Sequence, residues 1–316
     1  MAIEAGRDFE FVLRELLCEL EKKGLNVSLK EEQKTAVKQL FEERDVVAVL
    51  PTGFGKLLIF QLLVLLARRA KNQAACVLVI CPRTSIISDQ IQEVEAMGLC
   101  ACILSEKQSD LTDIEQGKFA IVYSSAEIAI DKRFLESLKK DSPFSRFIAA
   151  CVIDESHTIE TWTGLRKTKG KNSQNSVVVR GAYGELALLR SFFHKGTPFA
   201  ALTGTADVAT CSVIVSKLSL KKPLTIQVSP NSENLRFAVI NEKKDVIFSK
   251  LDWLVYHIRE KGERADKTVI FCNTMNDIAS VVNCLMMKLG KDAYSPKESR
   301  RQPDCLLGIF HSSCWP

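Results

Sequence analysis

A short glycine-containing segment carries the first residues that could bind a phosphate. Leu50 is followed by the sequence Pro-Thr-Gly-Phe-Gly and then by Lys56, between an apolar run and a helical one. Glycines let the backbone turn so that its N–H groups face an anion, and the start of the next helix adds a positive partial charge. A lysine at this place reaches the β and γ phosphates of a nucleotide. The pattern predicts a nucleotide phosphate loop, with a plain strand-to-helix turn as the alternative.

The residue after Lys56 departs from that pattern. Phosphate loops place Ser or Thr there, because the hydroxyl coordinates Mg²⁺. This chain has Leu57, which offers no oxygen. We expect a nucleotide to dock through the loop backbone and Lys56 while the metal loses one ligand, so hydrolysis is more affected than binding.

Two adjacent carboxylates follow another apolar run about a hundred residues later. Asp154 and Glu155 come directly after the apolar residues 149–153, and His157 lies two positions further on. Parallel sheets bind their ligands at such strand ends. Asp154 would hold Mg²⁺, and Glu155 would orient or deprotonate the water that attacks a phosphate. A solvated surface pair is the alternative, but the phosphate loop upstream favours a catalytic pair.

The elements that must position these residues alternate along the chain. Short β-rich runs are predicted at 46–50, 76–81, 120–123, 149–153 and 199–203. Helical runs are predicted at 9–23, 30–43, 56–70, 86–97, 134–140 and 185–193. Near-continuous apolar strands separated by helices indicate a parallel sheet covered on both faces. The predicted fold class is therefore α/β.

A polar, proline-containing stretch marks the predicted domain junction. We expect an N-terminal helical segment at 1–28, a first ATP-binding domain at 29–222, a linker at 223–234 and a partial second α/β domain at 235–316. In the second domain the pattern predicts strands at 237–240, 267–272 and 306–311, with helices at 245–260 and 276–289.

The composition indicates the general class of protein but does not identify a binding partner. The 46% hydrophobic and 26% charged residues are typical of a globular protein, and the net charge of +5 permits a polyanion partner. No apolar run is long enough to cross a bilayer, and the first ten residues lack the pattern of a secretory peptide. We expect an intracellular protein without a membrane partner, nuclear if its source is eukaryotic. The eleven cysteines include no C-x-x-C pair, so zinc is not expected.

The ordered set of motifs resembles the RecQ-like branch of superfamily-two helicases across nearly the whole chain. Segments similar to that family's motifs lie, in the family's order, at 29–33, 51–56, 60–61, 81–90, 123–127, 154–157, 201–206, 231–237 and 269–272. Besides Leu57, the departure within these motifs is a missing proline in 123–127. The resemblance implies a RecA-like parallel sheet with helices on both faces, followed by an incomplete second RecA-like domain.

The resemblance also assigns roles around a nucleotide. It implies that Gln33 reads the adenine edge and that Lys56, Asp154 and Glu155 are catalytic. The expected ATP site is lined by Lys30, Gln33, Thr52, Gly53, Phe54, Gly55, Lys56 and Leu57. The expected Mg²⁺ ligand is Asp154.

A second set of residues is implied to contact nucleic acid or to couple it to the nucleotide. The expected contacts to nucleic acid are Arg83, Ser85, Trp162 and Arg166, and the expected coupling residues are His157, Thr203 and Thr205. Each role has an ordinary structural alternative. Trp162 could pack inside the fold instead of stacking on a base, and the basic run 166–171 could be a solvated loop. His157 could simply make a hydrogen bond at the end of a strand.

The implied activity is an ATP-dependent 3′ to 5′ DNA-unwinding motor that uses ATP and Mg²⁺ and binds single-stranded or partly unwound DNA. The resemblance stops near the end, because 309–312 looks like the start of an F-H-S-G segment that the next residues do not continue. The arginine-bearing motif of the family and the further modules of many relatives do not follow. We therefore expect a chain that ends within its second motor domain. The alternatives are a non-hydrolysing nucleotide- or DNA-binding remnant, an incomplete gene product, or an RNA helicase of a related box family.

Overall fold

The computed structural model describes residues 8–82, 84–104, 108–138, 142–163, 180–231, 234–242 and 244–311. The chain divides into two compact units, and the boundary lies between residues 232 and 233. Within the described ranges, none of the helices is long and apolar enough to cross a membrane.

A seven-stranded parallel sheet forms the centre of the first unit. Its strands are β1 Val46–Val49, β2 Cys76–Ile80, β3 Ala101–Ile103, β4 Ile121–Ser124, β5 Ile148–Ile153, β6 Phe199–Thr203 and β7 Leu224–Gln227. Their order across the sheet is β3-β4-β2-β5-β6-β1-β7, and every neighbouring pair is parallel. The predicted α/β class is confirmed.

Helices cover both faces of this sheet. They are α1 Phe9–Lys22, α2 Glu31–Phe41, α3 Lys56–Ala70, α4 Thr84–Ala96, α5 Gln108–Glu115, α6 Ala126–Ala129, α7 Lys132–Ser137, α8 Pro143–Phe147, α9 Thr158–Trp162 and α10 Val208–Lys217. Side chains alternate across a strand, so β1 sends Val46 and Ala48 into one apolar core and Val47 and Val49 into another. The two cores lie on opposite faces, as predicted for buried parallel strands.

Some boundaries differ from the prediction. The predicted helix 185–193 is the 3₁₀ segment Leu186–Ser191, which a second 3₁₀ segment, Gly181–Gly184, precedes. The predicted linker 223–234 contains β7, which pairs with β1 along its whole length, so this part is sheet. Pattern alone hides β7 because it is a short edge strand in which Ile226 is buried and its neighbours are exposed. Helix α1 packs into the same core as α2 and α3.

A buried carboxylate ties three strands together at the end of the sheet opposite the phosphate loop. Asp45 is 3% exposed and precedes β1. Its Oδ1 accepts the backbone N–H of Phe199 at 2.8 Å, and its Oδ2 accepts the backbone N–H of Lys221 at 2.6 Å. The guanidinium of Arg190 completes the set, with Nη2 3.0 Å from Oδ2. Asp45 therefore fixes the starts of β1 and β6 and the approach to β7.

The second unit is small and helical in its described residues. It contains α11 Lys244–Ile247, α12 Asp252–Lys261 and α13 Met275–Leu289, with 3₁₀ segments at Phe248–Leu251, Gly262–Arg264, Gly290–Ala293 and Gln302–Asp304. The helix predicted at 276–289 is confirmed as α13, whereas the helix predicted at 245–260 is divided into α11 and α12 by the 3₁₀ segment Phe248–Leu251. The core comprises Leu254, Val255, Ile258, Leu285, Leu289 and Ala293.

The strands predicted at 237–240, 267–272 and 306–311 are wrong for this structure. These described segments form no strand, and the β-bridge in this part of the chain joins Tyr294 to Cys305. Many of their apolar side chains are exposed, with Phe237 at 82%, Phe271 at 94% and Phe310 at 91%, whereas Leu306 and Leu307 are half-buried against the core of this unit. An apolar run becomes a strand when a neighbour completes its hydrogen bonds, and these segments do not pair with one another. The sheet expected of a second RecA-like domain is therefore absent from these residues.

Candidate nucleotide and nucleic-acid site

The predicted site residues follow three strands that are neighbours in the sheet. The phosphate loop follows β1, Asp154 follows β5, and Gly204 follows β6. Because β5, β6 and β1 are adjacent and parallel, their carboxyl ends meet at one edge. This edge is where α/β sheets bind ligands.

The phosphate loop has the backbone shape that its glycines allow. Gly53 and Gly55 adopt φ angles of 77° and 86°, in the left-handed region that favours glycine. Gly55 caps helix α3, and a Cβ atom there would lie 2.6 Å from Nε2 of Gln33. Lys56 is the first residue of α3, and its Nζ lies 3.4 Å from the carbonyl oxygen of Leu50. The loop therefore opens a helix N-terminus beside a lysine.

Gln33 joins helix α2 to this loop. Its side chain is buried, its Oε1 accepts the backbone N–H of Lys30 at 2.9 Å, and its Nε2 donates to the carbonyl oxygens of Phe54 and Gly55 at 2.8 and 3.0 Å. The ammonium of Lys30 lies 3.9 Å from the centre of the Phe54 ring. In this conformation the Gln33 amide holds the loop with both Nε2 hydrogens, so donation from Nε2 to an adenine would require release of one of these carbonyls. Its role in base recognition stays a prediction.

Lys56 and the two carboxylates act on one another electrostatically. Burial raises the pKa of Asp154, and the charge of Glu155 raises it further, while Lys56 opposes the rise. The pKa of Glu155 is lowered, first by its hydrogen bond with His157 and also by Lys56. A Cβ atom on Gly204 would lie 3.4 Å from Nζ of Lys56. The phosphate loop, the acidic pair and Gly204 are therefore brought together.

Asp154 is held by two donors. Its Oδ1 accepts the backbone N–H of Glu155 at 2.9 Å, and Glu155 has a φ of 46°. Its Oδ2 accepts from Nε2 of Gln90 at 3.4 Å, and the Oε1 of Gln90 lies 3.8 Å from the sulfur of Cys81. Burial raises the pKa of Cys81 far above its usual range, so this thiol stays protonated. The sequence placed Gln90 at the end of the motif-like segment 81–90 but gave it no role beside Asp154, although a polar residue in the apolar stripe of α4 was a signal for one.

The three predicted coupling residues form one connected set. Nδ1 of His157 lies 2.9 Å from Oγ1 of Thr203 and 3.3 Å from Oε2 of Glu155. Thr203 is fully buried, and its Oγ1 lies 3.2 Å from both the N and the O of Thr205. The set connects Glu155 to the segment that follows β6. This geometry suits the predicted coupling role, which stays a prediction.

Trp162 lies at the same edge of the sheet in a half-buried aromatic cluster. Its ring meets that of Tyr183 edge to face, with centroids 5.1 Å apart, and the guanidinium of Arg180 lies 5.1 Å from its centre. Arg180 also makes two 2.6 Å bonds to the carboxylate of Glu127 and donates to the carbonyl oxygen of Pro82 at 2.7 Å. Packing in the fold, the structural alternative for Trp162, therefore has support, although part of its ring remains exposed. Sequence reasoning missed Arg180 and Tyr183.

Other predicted contacts to nucleic acid cannot be placed. Arg83 and Arg166 lie outside the described residues, as does the side chain of Ser85.

The side chains at this site are compatible with a Mg²⁺ ion that takes few of its ligands from the protein. Leu57 is half-buried against the apolar core and supplies no oxygen. Within the described ranges, no group of three or more His, Cys, Asp or Glu side chains could hold a metal ion. Mg²⁺ commonly binds through one or two carboxylates together with phosphate oxygens and waters. Asp154, beside the phosphate loop, offers a carboxylate of this kind.

Comparison with known proteins identifies the domain that carries this geometry. The sequence profile described as DEAD/DEAH box helicase matches residues 30–176, which include the phosphate loop, Asp154 and Glu155. Residues 30–176 are therefore similar to a DEAD/DEAH box helicase domain. DEAD/DEAH box helicases use ATP, which is the nucleotide predicted from the sequence of this chain.

Several RecQ-type helicases are similar to this chain. The chain is 26% identical to the ATP-dependent DNA helicase Q-like 2 of Arabidopsis thaliana over 262 residues, covering 80% of this chain and 34% of that protein. It is 30% identical to the ATP-dependent DNA helicase RecQ of Synechocystis sp. over 209 residues, covering 63% and 39%. It is 26% identical to the RecQ-like DNA helicase BLM of Xenopus laevis over 253 residues, covering 76% and 16%. The chain thus spans less than two fifths of each of these relatives.

Solved structures of other helicases share the fold. The crystal structure of DUF1998 helicase MrfA bound to DNA and AMPPNP aligns with a TM-score of 0.59 at 15% identity, covering 92% of this chain and 39% of that one. MrfA bound to DNA aligns with a TM-score of 0.57 at 13% identity, covering 92% and 40%. The helicase domain described here therefore has the RecA-like α/β fold, as predicted.

Proposed function

We propose that this chain is part of a RecQ-like, ATP-dependent 3′ to 5′ DNA helicase, in which it binds ATP with Mg²⁺ and single-stranded or partly unwound DNA. The observation that carries the proposal is the meeting of Lys56, which follows β1, with Asp154 and Glu155, which follow β5, beside Gly204 at the end of the intervening strand β6. The similarity to RecQ helicases supports DNA as the nucleic acid, and the polarity rests on that similarity alone.

Each side chain has a defined task in this proposal. The loop N–H groups and the Lys56 ammonium bind the phosphates, where the helix N-terminus also favours negative charge. Glu155 is kept deprotonated by His157 and Lys56, so it can orient the attacking water and accept its proton. Asp154 would hold Mg²⁺, which supplies charge neutralisation on the phosphates when bound.

Nucleotide affinity of a Lys56→Ala variant tests the proposal. We expect at least a tenfold loss of affinity for a fluorescent ATP analogue, because hydrogen bonds to charged groups contribute about 1.5–3 kcal/mol. Lys132→Ala is the matched control, since Lys132 is also the first residue of a helix and is exposed. Equal affinity in the Lys56 variant and the control would count against the proposed site.

Leu57 favours a second candidate function, a helicase-derived protein that binds nucleotide and nucleic acid without hydrolysis. DNA-stimulated phosphate release should be compared in wild type, Leu57→Ser and Leu58→Ser. Leu58 is likewise half-buried against the same core, so it controls for lost apolar packing. A gain of activity confined to Leu57→Ser supports an impaired motor, whereas no gain supports the non-hydrolysing candidate.

Competition between DNA and RNA tests the proposed nucleic acid. Single strands of equal length and sequence should be titrated against the same labelled DNA at one fixed salt concentration, because phosphate contacts make affinity salt-dependent. We expect DNA to compete at least as well as RNA. A clear preference for RNA would contradict the RecQ-like assignment.

A further inference from the structure

Gln90 is a polar residue on the buried face of helix α4. The inward positions of this helix include Ile87, Ile91 and Val94, whose spacing forms an apolar stripe. Gln90 lies within that stripe and is 8% exposed. A buried amide destabilises a fold unless its hydrogen bonds are made. Its presence among apolar residues therefore points to specific partners.

The two partners of Gln90 fix the orientation of its amide. The protonated thiol of Cys81 is a donor and lies 3.8 Å from Oε1 of Gln90. On the other side, Nε2 of Gln90 lies 3.4 Å from Oδ2 of Asp154. Reversing the amide would set an N–H group against a thiol donor and a carbonyl oxygen against a carboxylate. The hydrogen bonds thus run in one direction, from Cys81 through Gln90 to Asp154.

We propose that Gln90 is a positioning residue that orients the Asp154 carboxylate toward the phosphate-bound cation. Asp154 has the Glu155 N–H on one oxygen and the Gln90 amide on the other, so rotation about its carboxyl group would break a bond. Leu57 supplies no ligand, which leaves the placement of the cation more dependent on Asp154. The inference rests on the proposed nucleotide site.

Gln90 also links two segments of the domain. It lies on α4, six residues after the helix begins at Thr84, and Pro82 just before that start accepts a hydrogen bond from Arg180. Residues 81–90 are one of the segments similar to a RecQ-like motif, and the expected nucleic-acid contacts Arg83 and Ser85 belong to it. Gln90 is therefore the point at which that motif touches the proposed metal ligand.

Mg²⁺ titrations of nucleotide binding test this role in the full chain. Affinity for a fluorescent ATP analogue should be measured in EDTA and at rising Mg²⁺ for wild type, Gln90→Leu and Gln92→Leu. Gln92 lies on the same helix and is exposed, so its replacement controls for the change on α4. For Gln90→Leu we expect wild-type affinity in EDTA and a Mg²⁺ midpoint about 10- to 100-fold higher, the usual effect of losing a group that orients a metal ligand. Gln92→Leu should match wild type in both conditions.

Three results would overturn the proposal. The first is an unchanged Mg²⁺ midpoint in Gln90→Leu, and the second is a wild-type protein whose affinity does not respond to Mg²⁺. The third is an equal loss in EDTA and in Mg²⁺ from a folded variant, which indicates a structural role. If Gln90→Leu does not fold, Gln90→Met retains the length and flexibility of the side chain, and the same outcomes apply to it. Failure of the proposed site itself would be distinct, because wild type would then bind no nucleotide even in EDTA.

Discussion

The Asp154 carboxylate is buried, yet the proposed function requires it to be charged. Burial raises its pKa, and the neighbouring Glu155 raises it further. A group of this kind favours the folded state below its ordinary pKa, and that contribution is lost as the pH rises through the folded-state pKa. At neutral pH the charge on Asp154 therefore lowers stability. Sites that bind cations commonly retain such a cost.

Asp154→Asn should be more stable than wild type at neutral pH. The substitution removes the buried charge and its repulsion from Glu155, and we expect this gain to exceed the loss of one of the two acceptor oxygens that face the Glu155 N–H and Gln90 Nε2. A gain of 1 kcal/mol corresponds to about 2–4 °C in melting temperature for a domain of this size. The gain should shrink as the pH is lowered and the wild-type carboxyl becomes protonated. Thermal unfolding of both proteins at pH 7 and near pH 4 checks this. A variant that melts below wild type at pH 7 would refute the prediction.

Trp162→Ala should weaken the binding of single-stranded DNA. Stacking of a base on an aromatic ring contributes about 1–3 kcal/mol, which corresponds to roughly 5- to 150-fold in affinity. Trp253→Ala is the control, because Trp253 is 58% exposed in the second unit. Fluorescence anisotropy with a labelled oligonucleotide measures the effect, and the melting temperature shows whether packing was lost. Unchanged DNA affinity in Trp162→Ala would assign this tryptophan to packing alone.

At the scale of elements, burial determines which strands are predictable. The central strands β1, β2, β5 and β6 are apolar on both faces, so their runs and the residues that follow them could be predicted. β3 and β7 are the two edge strands of the sheet. β3 has only three residues, and only one residue of β7 is buried. Such segments carry little hydrophobic signal.

Contacts between side chains that are far apart in the sequence could not be predicted, because a local pattern does not show which strands become neighbours. Arg180 and Glu127 are 53 positions apart, and Gln90 and Asp154 are 64 positions apart. Gln90 and Asp154 meet because the sheet order places the non-consecutive strands β2 and β5 side by side, and Arg180 and Glu127 meet although β2 lies between the strands that precede them. The acidic pair and the phosphate loop could be predicted because each lies in its own local motif.

Loss of the Asp45 carboxylate should destabilise the sheet strongly. Asp45→Ala leaves Arg190 and two backbone N–H groups without their acceptor, and breaking a buried ion pair costs about 3–5 kcal/mol. Asp131→Ala is the control, since Asp131 is an exposed helix cap whose loss costs about 1 kcal/mol. Denaturant unfolding measures both. A smaller effect for Asp45→Ala than for the control would contradict the assigned role.

At the scale of the whole molecule, the two units differ in how their backbones are paired. The first unit has a continuous parallel sheet between two cores, whereas the described part of the second has a small helical core and exposed apolar segments. The sequence predicted strands in both units, because an apolar pattern shows only that a segment can form a strand. A strand also needs a neighbouring segment to complete its hydrogen bonds, and the pattern does not show whether one is present. A helix makes its hydrogen bonds within its own segment, so α13 could be predicted from the sequence, and the helix predicted at 245–260 was found in two pieces, α11 and α12.

Hydrogen exchange should separate the two units. Backbone amides in 234–242 and 265–273 are outside helices and strands in their described residues, so we expect them to exchange much faster than those of β1, β5 and β6. Exchange measured by mass spectrometry at several times gives the comparison, with α13 as an internal reference for the second unit. Protection of these segments equal to that of the central strands would show that they are paired.

The central claim is that Lys56 and the Asp154–Glu155 pair surround one triphosphate. A crystal structure with Mg²⁺ and a non-hydrolysable ATP analogue tests it most directly. We predict β and γ phosphates at the N-terminus of α3 within hydrogen-bond distance of Nζ of Lys56, with Asp154 facing the cation beside them. A nucleotide bound elsewhere, or the lysine and the acids on opposite sides of the domain, would contradict the account.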